Sequence, residues 1–233
     1  MIDFHSHVLP GIDDGSRSKE ESISMLSEQK RQGAGTVVAT PHFYASKTTP
    51  EAFLQNRQAA FDSLRDTADE LEVDLRLGAE VLYFEGVRNY SALKDFCISG
   101  TELFLLEMPF TRWSERLIRD VVDLNSGHGL TVVLAHIDRY FRAQPSRTWE
   151  ILASQGVLMQ VNAEFFINRA TRRKAVRLFQ KGFVQFIGSD CHNMESRPPN
   201  VGAATDVIKK ALGAGAVAYL QDIENEWFHN KRI

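Results

Sequence analysis

Gly129-Leu-Thr-Val-Val-Leu-Ala-His136-Ile-Asp-Arg139 says more about this chain than any other stretch. Leu130 to His136 is a continuous apolar run of strand length. It does not alternate, and strands buried on both faces of a helix-covered parallel sheet read this way. The run closes on a histidine followed by Asp-Arg, so its polar chemistry sits at one end. The same arrangement recurs outward along the chain, at Ile2 to Phe4, Thr36 to Thr40, Leu75 to Glu80, Leu103 to Glu107, Leu158 to Asn162 and Val184 to Ile187. Helical patterns lie between these runs. Ser18 to Gln32 opens with a Ser18/Glu21 capping-box spacing and stops at Gly33. Pro50 to Glu72, Trp113 to Asn125, Ala170 to Gln180 and Asn200 to Leu212 follow, and the last three are closed by Gly127, Gly182 and Gly213. Repeated βα units with no Pro-, Gly- or Ser-rich linker predict one α/β domain over 1–233, with a parallel sheet closed or nearly closed into a barrel.

Composition narrows the function classes. The chain has 233 residues, 43% hydrophobic and 24% charged, as expected of a folded globular protein rather than a disordered one. The formal charge of -3 provides no net basic field for wrapping nucleic acid. Two cysteines, Cys97 and Cys191, are too few for a disulfide framework or a Cys-based zinc site. The start, MIDFHSHVLP, has no basic segment followed by an apolar one, and no apolar run approaches the ~20 residues of a membrane span. The expectation is a cytoplasmic protein without membrane insertion. An oligomer is compatible with the sequence.

Five of the seven histidines fall at or just past predicted strand ends: His5, His7, His42, His136 and His192. Glu80, Glu107 and Asp190 occupy the same level, and Asp13 and Asp14 lie in the first loop. In a parallel α/β barrel every strand's C-terminal end reaches one rim, so residues distant in sequence converge there. Buried carboxylates must be paired or bind metal. Carboxylates mixed with imidazoles and no thiolate suit Mn, Fe or Zn, and so many ligands call for more than one ion. His5 and His7, two apart on a strand, face the same way. The residue pattern leaves Asp13 and Asp14 both open as the loop ligand, and Asp3 is read as a partner orienting a ligand imidazole rather than a ligand. His128 and His229 are read as ordinary surface residues.

The order Asp3-Phe-His5-Ser-His7, Thr-Pro-His42, Gly-Ala-Glu80, Glu107, Ala-His136 and Asp190-Cys-His192 resembles the PHP (polymerase and histidinol phosphatase) superfamily. His5-Ser-His7 with Gly11-Ile-Asp-Asp-Gly15, and His136-Ile-Asp-Arg-Tyr140, resemble its bacterial protein-tyrosine phosphatases of capsule and exopolysaccharide systems, the CpsB/YwqE group. The resemblance spans Asp3 to Arg197. It implies a distorted (β/α)7 TIM-like barrel holding three divalent metal ions, manganese first, with iron or zinc as alternatives. By motif, one ion falls to His5, His7, Glu80 and Asp190. A second shares Glu80 and adds Glu107 and His136, and the third takes Asp14, His42 and His192. Arg139 and Arg197 match arginines near the phosphate; with His136 and Asp190 they form the implied catalytic set. The implied partner is the phosphotyrosine tail of a bacterial tyrosine kinase. Ile-Asp between His136 and Arg139 departs from the family's common Pro-Glu but keeps both residues in register. A small phosphomonoester such as histidinol phosphate is the alternative substrate.

The chemistry is consistent with that resemblance. A phosphotyrosine monoester is dianionic; divalent ions cancel its charge and lower the pKa of a bound water, while arginine forks hold the equatorial oxygens. The tyrosine leaving group, with a pKa of about 10, needs little protonation. A rival sits in Cys191-His-Asn-Met-Glu-Ser-Arg197, which fits the Cys-x5-Arg pattern of cysteine-based phosphatases. This loop has no glycine, and Asp190 and Glu195 would raise the thiol pKa and repel phosphate. Two other features are left over. Arg169, Arg172, Arg173, Lys174, Arg177 and Lys181 make a basic helix, either a solvated face or a dock for an acidic tail. Phe43, Tyr44, Tyr83, Phe84, Phe110, Trp113, Tyr140, Phe165 and Phe166 follow strand ends; they either cover the barrel top or stack on a substrate ring.

Overall fold

Each apolar run forms a strand, and every pairing between strands is parallel. The computed structural model describes residues 1–90 and 92–229; the side chain of His229, and with it the surface reading of that residue, lies outside the described set. The strands are β1 Ile2–Ser6, β2 Thr36–Ala39, β3 His42–Phe43, β4 Asp74–Leu77, β5 Glu80–Leu82, β6 Leu103–Glu107, β7 Thr131–Leu134, β8 Leu158–Asn162 and β9 Phe186–Gly188. They run in the orders β1-β2-β4 and β3-β5-β6-β7-β8-β9. The two sets are continuous: the Gly78 N–H donates to the Ala39 carbonyl at 2.8 Å and the Glu80 N–H to the Pro41 carbonyl at 3.0 Å. At the other edge Ser6 bridges Cys191 in parallel register, the Asp190 N–H donates to the His5 carbonyl at 2.8 Å, and the His7 N–H donates to the Cys191 carbonyl at 2.9 Å. The molecule is an α/β fold built on a curled, TIM-like parallel sheet.

Two strand ends differ from expectation. Thr36 to Thr40 forms β2, and a short strand that was not expected, β3, follows it after Pro41, which has no N–H to donate to the ladder. Leu75 to Glu80 breaks at Gly78-Ala79. These differences leave His42 and Glu80 as direct register partners. β7 stops at Leu134, so His136 lies past the strand end, and β9 runs two residues later than the expected Val184 start.

Helices cover the outside. α1 Lys19–Arg31 begins where expected: Ser18 Oγ accepts the Glu21 N–H at 3.3 Å, while Glu21 reaches back to the Arg17 N–H rather than to that of Ser18. α2 Pro50–Glu70 and α3 Glu115–Gly127 also match expectation. α4 Ser146–Ser154 and α5 Ala163–Ile167 are short and were not expected. α6 Arg172–Gln180 starts after Arg169 and stops before Lys181, so the basic run is not one helix. Arg172 donates to the Phe166 and Ile167 carbonyls at the end of α5, and Lys174 Nζ sits 3.8 Å from the Phe141 ring centre. Arg172 and Lys174 are thus engaged with neighbouring segments, while Arg169, Arg173, Arg177 and Lys181 stay exposed.

α7 Val201–Leu212 matches expectation, whereas α8 Ala214–Glu224 was not expected, because its small residues show little amphipathic contrast. Ile223 at its end and Phe228 beyond join Phe4, Val38, Leu105, Val133 and Phe186 in a core within the sheet curl. The Phe4 and Phe186 rings stack there at 4.0 Å. Burying each such side chain contributes about 1.5–3 kcal/mol. The other core, between sheet and helices, includes Met25, Leu26, Leu64, Leu124 and Phe179. Among the described residues no helix is long and apolar enough to cross a membrane.

Candidate metal centre

β1 changes its use halfway along. Phe4 packs into the inner core, yet His5 and His7 both reach the rim, and the register with β2 shifts between Asp3 and Ser6. Such an irregularity re-aims side chains. Close approach of β9 fixes the result: a Cβ on Gly188 would lie 2.4 Å from the His5 Cβ and 2.8 Å from its backbone nitrogen. The first loop folds back onto β1 in the same way, with the Ser16 N–H donating to the His7 carbonyl at 3.0 Å and Gly15 against the His7 backbone.

Around this point the predicted residues converge. Glu80, 1% exposed, is the hub. Its Oε2 lies 3.2 Å from His5 Nε2, 3.4 Å from His7 Nε2 and 2.9 Å from His42 Nδ1, and its Oε1 lies 2.7 Å from His136 Nε2. Glu107 Oε1 is 3.6 Å from the same His136 nitrogen. Asp190 Oδ1 is 3.7 Å from His5 Nε2, 3.4 Å from His7 Nε2 and 3.8 Å from His192 Nδ1. Asp14 Oδ1 is 3.6 Å from both His42 Nε2 and His192 Nε2. Arg139 and Arg197 each hold Asp190, the latter at 2.8 Å. His136 and Asp190 both take left-handed backbone, with φ of 30° and 53°, which turns their side chains off the strand ends into the cup.

The tautomers can be read from the hydrogen bonds. The His136 N–H donates to Gln160 Oε1 at 2.6 Å, which fixes that amide. His5 Nδ1, 3.3 Å from the same oxygen, must then donate. His7 Nδ1 donates to Asp13 Oδ2 at 2.6 Å. Both Nε2 atoms therefore direct lone pairs inward, only 3.1 Å apart. Lone pairs at that distance repel unless a cation or proton lies between them. Buried Glu80 Oε2 and His192 Nε2 make no hydrogen bond among the described residues despite their close neighbours. His192 donates from Nδ1 to the Asp190 carbonyl at 3.0 Å, and burial, with His7 and Arg197 nearby, lowers its pKa to about 4, so Nε2 is a free lone pair at neutral pH.

The electrostatics favour positive charge at the centre. Burial opposes protonation of His7, but Asp13, Asp190 and Glu80 outweigh it and raise its pKa well above the ordinary value. Burial likewise opposes the Asp190 anion, yet His5 and His7 hold its carboxyl well below the usual range. Burial and the Glu80 charge raise Glu107. Carboxylates outnumber the two guanidiniums, and the imidazoles offer lone pairs. This donor set fits divalent cations. Three overlapping sets of potential ligand atoms lie within 4.8 Å of one another: His7, His42 and His192; His5, His7 and Asp190; His42, Glu80 and Glu107. His7 and His42 each fall in two sets, so the grouping differs from the one expected by motif.

Several roles emerge only here. Asp13 orients: besides His7 it accepts the His42 N–H at 2.9 Å and the Gly15 N–H at 3.0 Å, which leaves Asp14 to face the histidines. Asp13→Asn places an amide donor among three donors; metal affinity and kcat/KM are expected to fall about 10–100-fold, read by chelator titration with steady-state kinetics. Asp3 does not orient an imidazole as expected. Its carboxylate accepts the Ser189 N–H at 2.7 Å and the Gln29 amide at 2.8 Å, tying β1 to the segment that carries Asp190. Gln160 and Asn162 were overlooked. Gln160 orients His5, and the Asn162 amide donates to Asp190 Oδ2 at 2.8 Å. Two polar residues spaced by two at the end of an apolar strand, in Leu158-Met-Gln-Val-Asn162, are the signal that marks them.

The cysteine rival fails on geometry. Cys191 is fully buried, and burial, together with Asp3, raises its thiol pKa well above the ordinary value. The N–H groups of Glu195, Ser196 and Arg197 donate to Asn193 Oδ1 at 3.0, 2.8 and 3.1 Å, so they form no phosphate cradle.

Comparison with known proteins agrees with this centre. Residues 1–226 match the family described as capsular polysaccharide synthesis, CpsB/CapC. Tyrosine-protein phosphatase CpsB of Streptococcus pneumoniae is 32% identical over 92% of each chain. Tyrosine-protein phosphatase YwqE of Bacillus subtilis is 29% identical over 92% of this chain and 86% of its own. Crystal structures of YwqE and CpsB, described as unique metal-dependent tyrosine phosphatases, give a TM-score of 0.82 at 26% identity, covering 97% of this chain and 93% of the other. A phosphotriesterase homology protein of Escherichia coli, at 10% identity and a TM-score of 0.61, shares the fold over 98% of each chain. An imidazole and carboxylate cup on a curled parallel sheet, with two arginines at its edge, thus accompanies the family's sequence along nearly the whole chain: it is a phosphomonoester hydrolase belonging to the CpsB/CapC family, the CpsB/YwqE-type tyrosine-phosphatase group of the PHP superfamily.

Proposed function

We propose that this chain is a metal-dependent protein-tyrosine phosphatase acting on the phosphotyrosine tail of a bacterial tyrosine kinase that controls capsule or exopolysaccharide synthesis. The observation that carries the reading is the convergence of His5, His7, Asp14, His42, Glu80, Glu107, His136, Asp190 and His192 in one cup, with Arg139 and Arg197 at its edge. In this reading the curled sheet is the distorted (β/α)7 barrel, the chain acts as one cytoplasmic domain, and three divalent ions, manganese first, occupy the cup in the motif grouping. Such ions supply Lewis acidity and cancel the charge of the phosphate dianion.

The chain's own groups do the rest. Arg139 and Arg197 are about one-third exposed and line a cleft of about 670 Å³ with Asn162, Ser189 and Asp190. Held together on the Asp190 carboxylate, they present forked donors to the equatorial phosphate oxygens without each repelling the other freely. Asp190 thereby serves both the ligand set and the arginines. A second cleft, of about 960 Å³, runs from Asp13, Asp14 and His42 past Tyr44 to α2. One cleft is lined by Asp13, Asp14 and His42 and the other by Asp190, so each reaches part of the ligand set. The test is elemental analysis of the purified protein coupled to turnover of a phosphotyrosine peptide with and without chelator, alongside histidinol phosphate. Activity is expected to be lost with chelator, restored by Mn, and close to wild type in Cys191→Ser. Chelator-resistant turnover, a dead Cys191→Ser with intact metals, or preference for histidinol phosphate would each overturn the proposal.

A further inference from the structure

Phe110 is the exposed aromatic of the rim. It is 58% exposed, whereas Trp113 and Tyr140 beside it are buried. Tyr44 is already stacked on His42 at 5.0 Å and carries Lys47 Nζ 4.2 Å from its ring centre, and the Tyr83 hydroxyl donates to Asp120 at 2.7 Å. The loop bearing Phe110 is not loose. The Met108 N–H donates to the Tyr140 hydroxyl at 3.1 Å, the Trp113 N–H to Gln144 Oε1 at 3.0 Å, the Trp113 indole to the Pro109 carbonyl at 2.9 Å, and the Gln144 amide to the Thr111 carbonyl at 2.7 Å. A loop pinned at this many points nonetheless leaves a large apolar ring in water, where burial would have been favourable. The ring is aligned as well: it lies within 12° of the His136 imidazole plane at 6.1 Å and packs against Tyr140 at 5.3 Å. His136 is at once a wall of the cup and the surface on which Phe110 rests.

We infer that Phe110 is a specificity-determining residue that stacks on the phenyl ring of phosphotyrosine while the phosphate sits in the cup. The inference rests on the phosphatase reading above and deepens it. In an aryl phosphate a single ester oxygen joins ring and phosphorus, so a side chain that recognises the ring must stand immediately beside the phosphate site. A pre-positioned aromatic face selects aryl over alkyl esters by offset or edge contact, and its rigidity limits the entropy lost on binding. Serine and threonine phosphates have no ring to place there.

The test compares steady-state kinetics on a phosphotyrosine peptide with product inhibition by inorganic phosphate, which probes the cup without a ring. Phe110→Ala is expected to raise KM about tenfold, equivalent to about 1.4 kcal/mol. Its kcat and the inhibition constant for phosphate should stay within about twofold, since a change that weakens ground-state and transition-state binding equally moves KM alone. Phe110→Trp should restore KM, whereas Phe110→Leu, similar in bulk but without a π face, should not. An unchanged KM in Phe110→Ala, full rescue by Leu, or a parallel shift in the phosphate inhibition constant overturns the inference. Failure of the wild-type protein to hydrolyse the peptide is a different result, and it removes the phosphatase reading on which the inference stands.

Discussion

Asp190→Asn is expected to lower kcat/KM for a phosphotyrosine peptide about a thousandfold, and His136→Ala to do the same, while circular dichroism stays native. Asparagine preserves the shape of the aspartate and tolerates the left-handed backbone at this position, φ 53°, so folding is not the target. The charge is. One oxygen of Asp190 faces His5, His7 and Arg197, and the other receives Arg139 and the Asn162 amide. An amide in its place sets N–H groups against donors, removes an anion from the cation site, and frees two guanidiniums from the group that holds them together. Losing about 4 kcal/mol of transition-state charge stabilisation corresponds to about three decades in rate. His136→Ala removes the imidazole that spans Glu80 and Glu107. Elemental analysis should show reduced metal content in both variants. Turnover above about a tenth of wild type in metal-loaded protein, a deficit of only about 1.4 kcal/mol, would remove these residues from the proposed machinery.

Gly188→Ala is expected to damage both stability and activity although it replaces no polar side chain. The added methyl would meet the His5 Cβ at 2.4 Å, the His5 backbone nitrogen at 2.8 Å and Gln160 Nε2 at 3.0 Å. Two of those atoms belong to the β1 backbone region and cannot swing aside. Overpacking of this kind costs about 1–3 kcal/mol, and at about 2–4 °C per kcal/mol for a chain of this size the melting temperature should fall by several degrees. If the strand moves instead, His5 moves with it, and a shift of about 1 Å at a reacting site can cost about a hundredfold in rate. Gly35→Ala is the control: nothing lies within 4 Å of the added carbon, and a change within about 0.5 kcal/mol is expected. Calorimetry and kinetics on the two variants check this, and equal behaviour would refute the close-approach argument.

How far the centre can be read from the chain differs from residue to residue. His5, His7, His42, Glu80, Glu107, His136, Asp190 and His192 stand out because each follows a local apolar run, and in a parallel sheet that placement alone sends them to a common rim. Asp13 and Asp14 are adjacent and chemically identical, so no local rule separates them; the fold of residues 7–16, which commits Asp13 to His7 and to two backbone donors, does. The Asp3 carboxylate is satisfied by Ser189, 186 positions away, a partner no periodicity indicates.

The amino-acid sequence by itself determined the order of strands and helices, the rim on which the chemistry gathers and the kind of ligand gathered there, because apolar runs, caps and residue type act within a few positions. Tertiary structure decided the rest. The breaks at Pro41 and Gly78 that put His42 opposite Glu80, the approach of Gly188 to His5, the tautomers set by Gln160 and Asp13, and the exposure of Phe110 among buried neighbours all depend on register and packing between segments far apart in the chain. Those distances are fixed only when the sheet curls and the segment following its last strand bridges its first.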